Sequence, residues 1–346
     1  MKMNFIISLA VVLLLAGCQK EEIGKSGLVR DQFYLENDDA KMHVYLEGNI
    51  SSDKILVMVH GGPGDGSLYY NIDEATNIAE KNFAVAYWDQ RLAGTTQGNI
   101  SKANIANYLD DLKKLIILLR HRYGQSKKIY LLGHSWGGLL VPLFLQQADN
   151  QSLVSGWIQV DGEHNYAMSD SLSRNNLIKF GEQEILAGRN AGDWQKITDY
   201  CRDHDPKNNY SVTRKINGHA HDAEDLISDI TTGKTTKELI KFFIREYNYP
   251  VTTYLSNGVY NNFIKEIDKQ AYAQKATDNL YKIKVPTLLL WGKYDFVCPP
   301  QLADDIKARI GSTDVMTTIF SHSGHSPMFN EPTAFWESVN QWVMGH

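Results

Sequence analysis

The chain has 346 residues and a net charge of −5, with 43% hydrophobic and 22% charged residues. That length exceeds the usual single domain and suits one large α/β domain carrying an insertion. The slightly acidic balance, without any Lys/Arg-rich run, makes nucleic acid an unexpected partner.

Residues 1–17 read as an export signal. Lys2 gives a positive start, residues 5–15 are nearly all apolar, and Ala16 and Gly17 precede Cys18. The apolar run is too short to span a bilayer comfortably. Small residues before a cysteine resemble the lipobox of bacterial lipoproteins. The resemblance implies lipidation at Cys18, a lipid anchor as the link to the membrane, and a place in the bacterial cell envelope. Gln at position 19 in place of Asp implies the outer membrane by the same resemblance. Residues 18–28 then form a tether.

Residues 29–35 and 42–46 read as the strands of a hairpin. Lys54–Val59 is a continuous apolar run and reads as a buried strand. Residues 68–81 have the length of a helix, and 82–88 form the next strand. Ile105, Leu109, Leu112, Ile116 and Leu119 recur at spacings of three and four, one stripe of a helix that Gly124 ends. A strand over 128–132, an apolar helix over 138–145 and a strand over 154–160 follow. This alternation predicts an α/β fold with a mostly parallel, doubly wound sheet. From 164 to 280 the chain is polar and shows no repeated strand signal; it reads as an inserted helical cap, with one helix at 236–247. Alternation resumes with a strand over 287–291, a helix over 300–310, a strand over 315–320 and a last helix over 332–344. The core is thus expected in two parts, 29–163 and 281–346.

The chemistry is expected at three places. Gly133-His134-Ser135-Trp136-Gly137 lies between a predicted strand and a predicted helix, the setting of a nucleophile elbow. Glycines at 133 and 137 leave room for the sharp turn. A serine hydroxyl needs an adjacent base. Ser321-His322-Ser323-Gly324-His325 follows the last strand, and Gly324-His325 resembles the Gly-His pair of α/β-hydrolases, so His325 is the choice over His322. The base needs an acceptor, and Asp295 stands just beyond the carboxyl end of a core strand, where such sheets gather functional groups. Backbone N–H groups of Trp136 and of Gly62, in His60-Gly61-Gly62-Pro63-Gly64, are the expected oxyanion donors. A cis Gly62–Pro63 bond is compatible with that loop.

The segments His60–Gly64, Trp88-Asp89-Gln90-Arg91 and Gly133–Gly137, with Gly292–Asp295 and Ser323–Ser326, resemble the proline iminopeptidase family of serine α/β-hydrolases. The resemblance implies the α/β-hydrolase fold and release of N-terminal residues, often proline, from peptides through an acyl-enzyme. It also implies a structural turn network at Asp89 and Arg91. The family's Trp-Asp-Gln-Arg-Gly reads Trp88-Asp89-Gln90-Arg91-Leu92 here, and the family's cap acids for the substrate α-ammonium do not align. Glu163, at the entrance to the cap, is the best-placed acid, ahead of Glu182, Glu184, Glu224 and Glu246. A carboxylesterase on the same fold is the alternative reading, and a non-catalytic surface binding protein is a third. The chemistry requires no cofactor. With no C-x-x-C and no H-E-x-x-H, no metal is expected. Cys201 and Cys298 are left open as a pair or two thiols.

Overall fold

The computed structural model describes residues 28–71, 74–147, 149–207, 209–231 and 261–346. The expected signal, Cys18, most of the tether, the helix at 236–247 and Glu246 lie outside the described residues.

Eight strands form one sheet in the order β1-β2-β4-β3-β5-β6-β7-β8. They are β1 (Leu28–Asn37), β2 (Ala40–Asn49), β3 (Lys54–Val59), β4 (Ala84–Trp88), β5 (Lys128–His134), β6 (Gly156–Val160), β7 (Thr287–Gly292) and β8 (Val315–Phe320). β1 and β2 form an antiparallel hairpin at one edge, and every pairing from β4 to β8 is parallel. This is the α/β-hydrolase fold. All residues of β3, β4, β6 and β7 are buried, as continuous apolar runs require when helices cover both faces.

Helix α1 (Ile105–Tyr123) buries the anticipated stripe. The Asn104 side chain accepts from the Asn107 N–H at its start, and Gly124 closes it at φ 127°. α2 (Gly137–Leu145) follows the serine turn and buries eight of its nine residues. Between β6 and β7 come α3 (Tyr166–Leu186), α4 (Ala191–Asp203), α5 (Tyr210–Asp225) and α6 (Asn261–Tyr272). α3, α4 and α5 share a small core built on Leu177, Trp194, Ile197 and Ile216. α7 (Gln301–Arg309) and α8 (Pro332–Gly345) complete the layers. Among the described residues, no helix is long and apolar enough to cross a membrane.

One expected element differs. Among the described residues of 68–81 there is no continuous helix; they form 3-10 turns at Ser67–Asn71 and Glu74–Thr76 and one helical turn at Asn77–Glu80. Tertiary bonds override the local tendency. Ser67 donates its N–H and its hydroxyl to Asp89, both at 2.8 Å, and Tyr70 is held by groups beside the elbow.

The turn after β4 is tied down from three sides. Asp89 accepts from Ser67 and, through its other oxygen, from the Thr95 N–H at 2.9 Å. Gln90 donates to the His60 carbonyl at 2.9 Å and accepts from the Trp136 indole at 3.0 Å. Arg91 forms a two-pronged pair with Asp111, at 2.7 and 2.8 Å, with both side chains sealed from solvent. Neither Asp89 nor Arg91 lines the cavity described next.

Candidate active site

Ser135 follows β5 in a left-handed conformation, φ 51°, which costs a non-glycine residue about 1–3 kcal/mol. The neighbouring glycines make the turn feasible. A Cβ on Gly133 would stand 2.6 Å from the Gly137 carbonyl oxygen, and one on Gly137 would collide with the Val59 carbonyl of β3. The strained turn lifts the serine hydroxyl above the carboxyl edge of the sheet.

Asp295 follows β7 and His325 follows β8, so three strand ends converge. His325 Nε2 lies 2.9 Å from Ser135 Oγ, and His325 Nδ1 lies 3.0 Å from Asp295 Oδ2. The other oxygen, Oδ1, accepts the N–H groups of Val297 and Cys298, both at 2.8 Å. A carboxylate only accepts, so the imidazole proton sits on Nδ1 and Nε2 faces the hydroxyl as an acceptor. Burial opposes a charge on His325, but Asp295 and then Glu224 and Asp65 outweigh it and hold the imidazole above its ordinary range. His322 is elsewhere: exposed, with Nδ1 3.0 Å from Asp229.

Gly62 and Trp136 line the same cavity as Ser135. Among the described residues, neither backbone N–H has a hydrogen-bond partner. The Gly62–Pro63 bond is cis. A relay joins this loop to the histidine loop. Gly61 N–H donates to the Tyr70 hydroxyl at 3.0 Å, the hydroxyl donates to His134 Nδ1 at 2.7 Å, and His134 Nε2 donates to the His325 carbonyl at 2.8 Å. Burial pushes the His134 imidazole down to about 3, so it stays neutral and keeps this direction of bonding.

The acids fall into two groups. Asp161, at the end of β6, accepts the Gly292 N–H at 2.8 Å, and burial with the nearby Asp295 raises it far above the carboxylate range. Glu224, on α5, accepts the His325 N–H at 2.9 Å and the Phe296 N–H at 3.3 Å. It thus braces both loops from behind, and a Cβ on Gly324 would strike its carboxylate. Burial, then Asp295, push Glu224 up to about 8. It does not line the cavity, so the structure places it as a brace and not as a contact for a bound molecule. Replacing it with Ala is expected to lower kcat at least about tenfold on every acyl substrate with KM steady, because the base loop shifts against Ser135. Steady-state kinetics on a charged and a neutral substrate check this; a loss limited to free-amine substrates would instead make Glu224 a ligand.

The second group faces a cavity of about 540 Å3 above Ser135. Glu163, Asp65, Asp170 and Asp268 line it, with Arg214 as its one permanently charged cation among the described residues. Glu163 Oε1 accepts the N–H groups of His164 and Asn165 at 2.9 and 2.8 Å, and Oε2 lies beside the Cys298 thiol, so this carboxylate caps the entrance to α3. Asp170 accepts from the Thr213 and Tyr272 hydroxyls at 2.9 and 2.7 Å, and burial pushes it up to about 7. Asp268 accepts from the Tyr210 hydroxyl at 2.8 Å. Glu182 and Glu184 pair with Arg202 and Arg189 and do not line the cavity. Sequence reading overlooked Asp65, Asp170 and Asp268. The one signal was an acid at 65 inside a loop otherwise read for its glycines. Cys201 and Cys298 are two free, buried thiols. Among the described residues, no group of His, Cys, Asp or Glu is arranged to hold a metal ion.

Known proteins resemble this chain over most of its length. A probable aminopeptidase, YbaC, of Bacillus subtilis is 22% identical over 325 residues, covering 89% of this chain and 94% of that protein. A proline iminopeptidase of Lacticaseibacillus rhamnosus is 24% identical, covering 90% and 97%. Among solved structures, an esterase from Exiguobacterium antarcticum superimposes with a TM-score of 0.58 at 18% identity, covering 88% of this chain and 96% of that one. The profile described as serine aminopeptidase, S33, matches residues 50–169 and 253–333, more than half of the chain, and the chain belongs to that family.

Proposed function

We propose that the protein is a serine aminopeptidase that releases N-terminal residues from short peptides in the manner of the proline iminopeptidases. The observation that carries this over ester hydrolysis is the lining of the cavity, four carboxyl side chains to one permanent cation. A site so lined suits a cationic substrate group, because an ammonium entering a closed pocket needs a carboxylate to offset its lost hydration. Relatives named as aminopeptidases support the same reading.

In this mechanism Ser135 Oγ attacks the scissile carbonyl carbon while His325 Nε2 takes the hydroxyl proton. Asp295 holds the resulting imidazolium in place. The N–H groups of Gly62 and Trp136 receive the oxyanion. Collapse of the tetrahedral intermediate breaks the C–N bond, and His325 returns the proton to the leaving amine. Water, activated by the same imidazole, then hydrolyses the acyl-enzyme and regenerates Ser135.

The test compares prolyl and alanyl p-nitroanilides with their N-acetylated forms and with p-nitrophenyl acetate. The proposal expects kcat/KM on the free amines to exceed that on the blocked forms by about 100-fold, the scale of an unmet buried charge contact. Equal rates, or activity confined to the acetate ester, would favour the esterase reading, for which the structural neighbour named as an esterase is a precedent in fold.

A further inference from the structure

The four cavity acids are not equivalent. Glu163 is committed to two backbone amides, Asp170 to two hydroxyls, and Asp268 to a tyrosine with Arg214 3.8 Å away. Asp65 is committed to nothing: among the described residues its carboxylate has no hydrogen-bond or ion-pair partner, and its side chain is open to the cavity.

Its position is equally specific. A Cβ built on Gly61 would stand 3.2 Å from the Ser135 Cβ and 3.6 Å from an Asp65 carboxylate oxygen. The nucleophile and the carboxylate therefore both lie within 3.6 Å of one point. An α-amine is two bonds from the carbonyl carbon that Ser135 attacks, so its partner has to be in the immediate surroundings of that serine.

We infer that Asp65 receives the substrate α-ammonium, and that its charge makes a cationic acyl group a condition of fast turnover. This rests on the aminopeptidase reading and adds to it a residue from the core loop and a reason for selectivity. Asp65 lies on the loop that offers the Gly62 N–H to the oxyanion. Left alone and ionised, its carboxylate repels the charge that develops there. An α-ammonium seated against Asp65 cancels that repulsion. A neutral acyl group leaves it standing, so such a substrate is rejected in the transition state and not merely bound less well. Burial raises the Asp65 carboxyl against the opposing pull of His60 and His325, and Tyr70 is the third titratable group that feels it; an α-ammonium seated there favours the ionised form.

The experiment uses wild type, Asp65→Asn and Asp65→Ser with alanyl and prolyl p-nitroanilides, N-acetyl-alanyl p-nitroanilide and p-nitrophenyl acetate. Labelling of Ser135 by a neutral fluorophosphonate reports whether each variant is folded with its triad intact. The expected result is a fall of about 30- to 100-fold in kcat/KM on the free amines against a much smaller change on the acetylated anilide and the acetate ester, so that the amine preference collapses. Asp65→Ser serves where Asp65→Asn fails to label. Retention of the wild-type amine preference in both variants overturns the inference and leaves the aminopeptidase reading, with the cap acids reading the amine. A parallel loss on all four substrates also overturns it, making Asp65 a support for His325. Absence of any amine preference in wild type overturns the aminopeptidase reading itself, and the inference with it.

Discussion

Asp295→Asn is expected to lower kcat by about 10^4-fold while leaving the protein folded. The reason is the way the carboxylate is shared. Oδ1 faces two N–H donors, from Val297 and Cys298, and cannot be replaced there by an amide nitrogen. The amide oxygen of the variant must take that side, which turns its NH2 toward His325 Nδ1. The imidazole then has to accept at Nδ1 and carry its proton on Nε2, facing Ser135. A histidine protonated on that side cannot take a proton from the serine. Steady-state hydrolysis, normalised to protein mass and accompanied by a thermal unfolding scan, gives the measurement. A loss smaller than about tenfold would show that Asp161 or Glu224, both buried close to Asp295, takes over as the acid.

Arg91→Ala is expected to cost about 3–5 kcal/mol of stability, because it strands the Asp111 carboxylate in the core. Asp111 has 0% exposed side chain, and beyond Arg91 it has the Asn37 amide at 2.6 Å, one bond for a charge that held three. Desolvation already raises Asp111 even with the guanidinium present. Without it the group protonates or the turn opens. The double variant Arg91→Met/Asp111→Leu removes both charges and is expected to regain most of the loss, since an apolar pair of similar volume avoids the desolvation. Denaturant midpoints for the single and double variants decide this. If the single variant unfolds at the wild-type midpoint, the pair contributes nothing to stability. Turnover per fluorophosphonate-titrated site is expected to remain within about threefold of wild type in the folded fraction, as Arg91 does not line the cavity.

What the sequence revealed of this molecule follows from how each feature is encoded. β3 and β7 are runs of apolar residues whose burial on both faces leaves a continuous signal, and α1 carries a five-residue stripe. The residues nominated for chemistry, Ser135, His325 and Asp295, sit at strand ends, so locating the strands also located them. The segment 68–81 was misread because Ser67 and Tyr70 answer to Asp89, Gly61 and His134, partners that no window of neighbouring residues contains. Glu224 was weighed as a substrate ligand for the same reason. On a helix in isolation its carboxylate is a solvated charge; only the packing of α5 on the loops after β7 and β8 turns it into a brace. Asp170 and Asp268 were passed over among many acids of a polar segment, since nothing in their spacing points inward.

Ser135 and His325 are 190 residues apart in the chain and come from strands that are not neighbours in the sheet. β8 lies at one edge and pairs with β7 alone. A chain emerging from synthesis can therefore complete β1 to β6, and set Ser135 on its strained turn, while still lacking both the acid and the base. Hydrolysis appears only when the last pairing closes. Activity is thus a late signal of folding, whereas tryptophan burial at Trp88 and Trp157, on β4 and β6, can report earlier stages. Until β8 arrives, the β7 edge stays open.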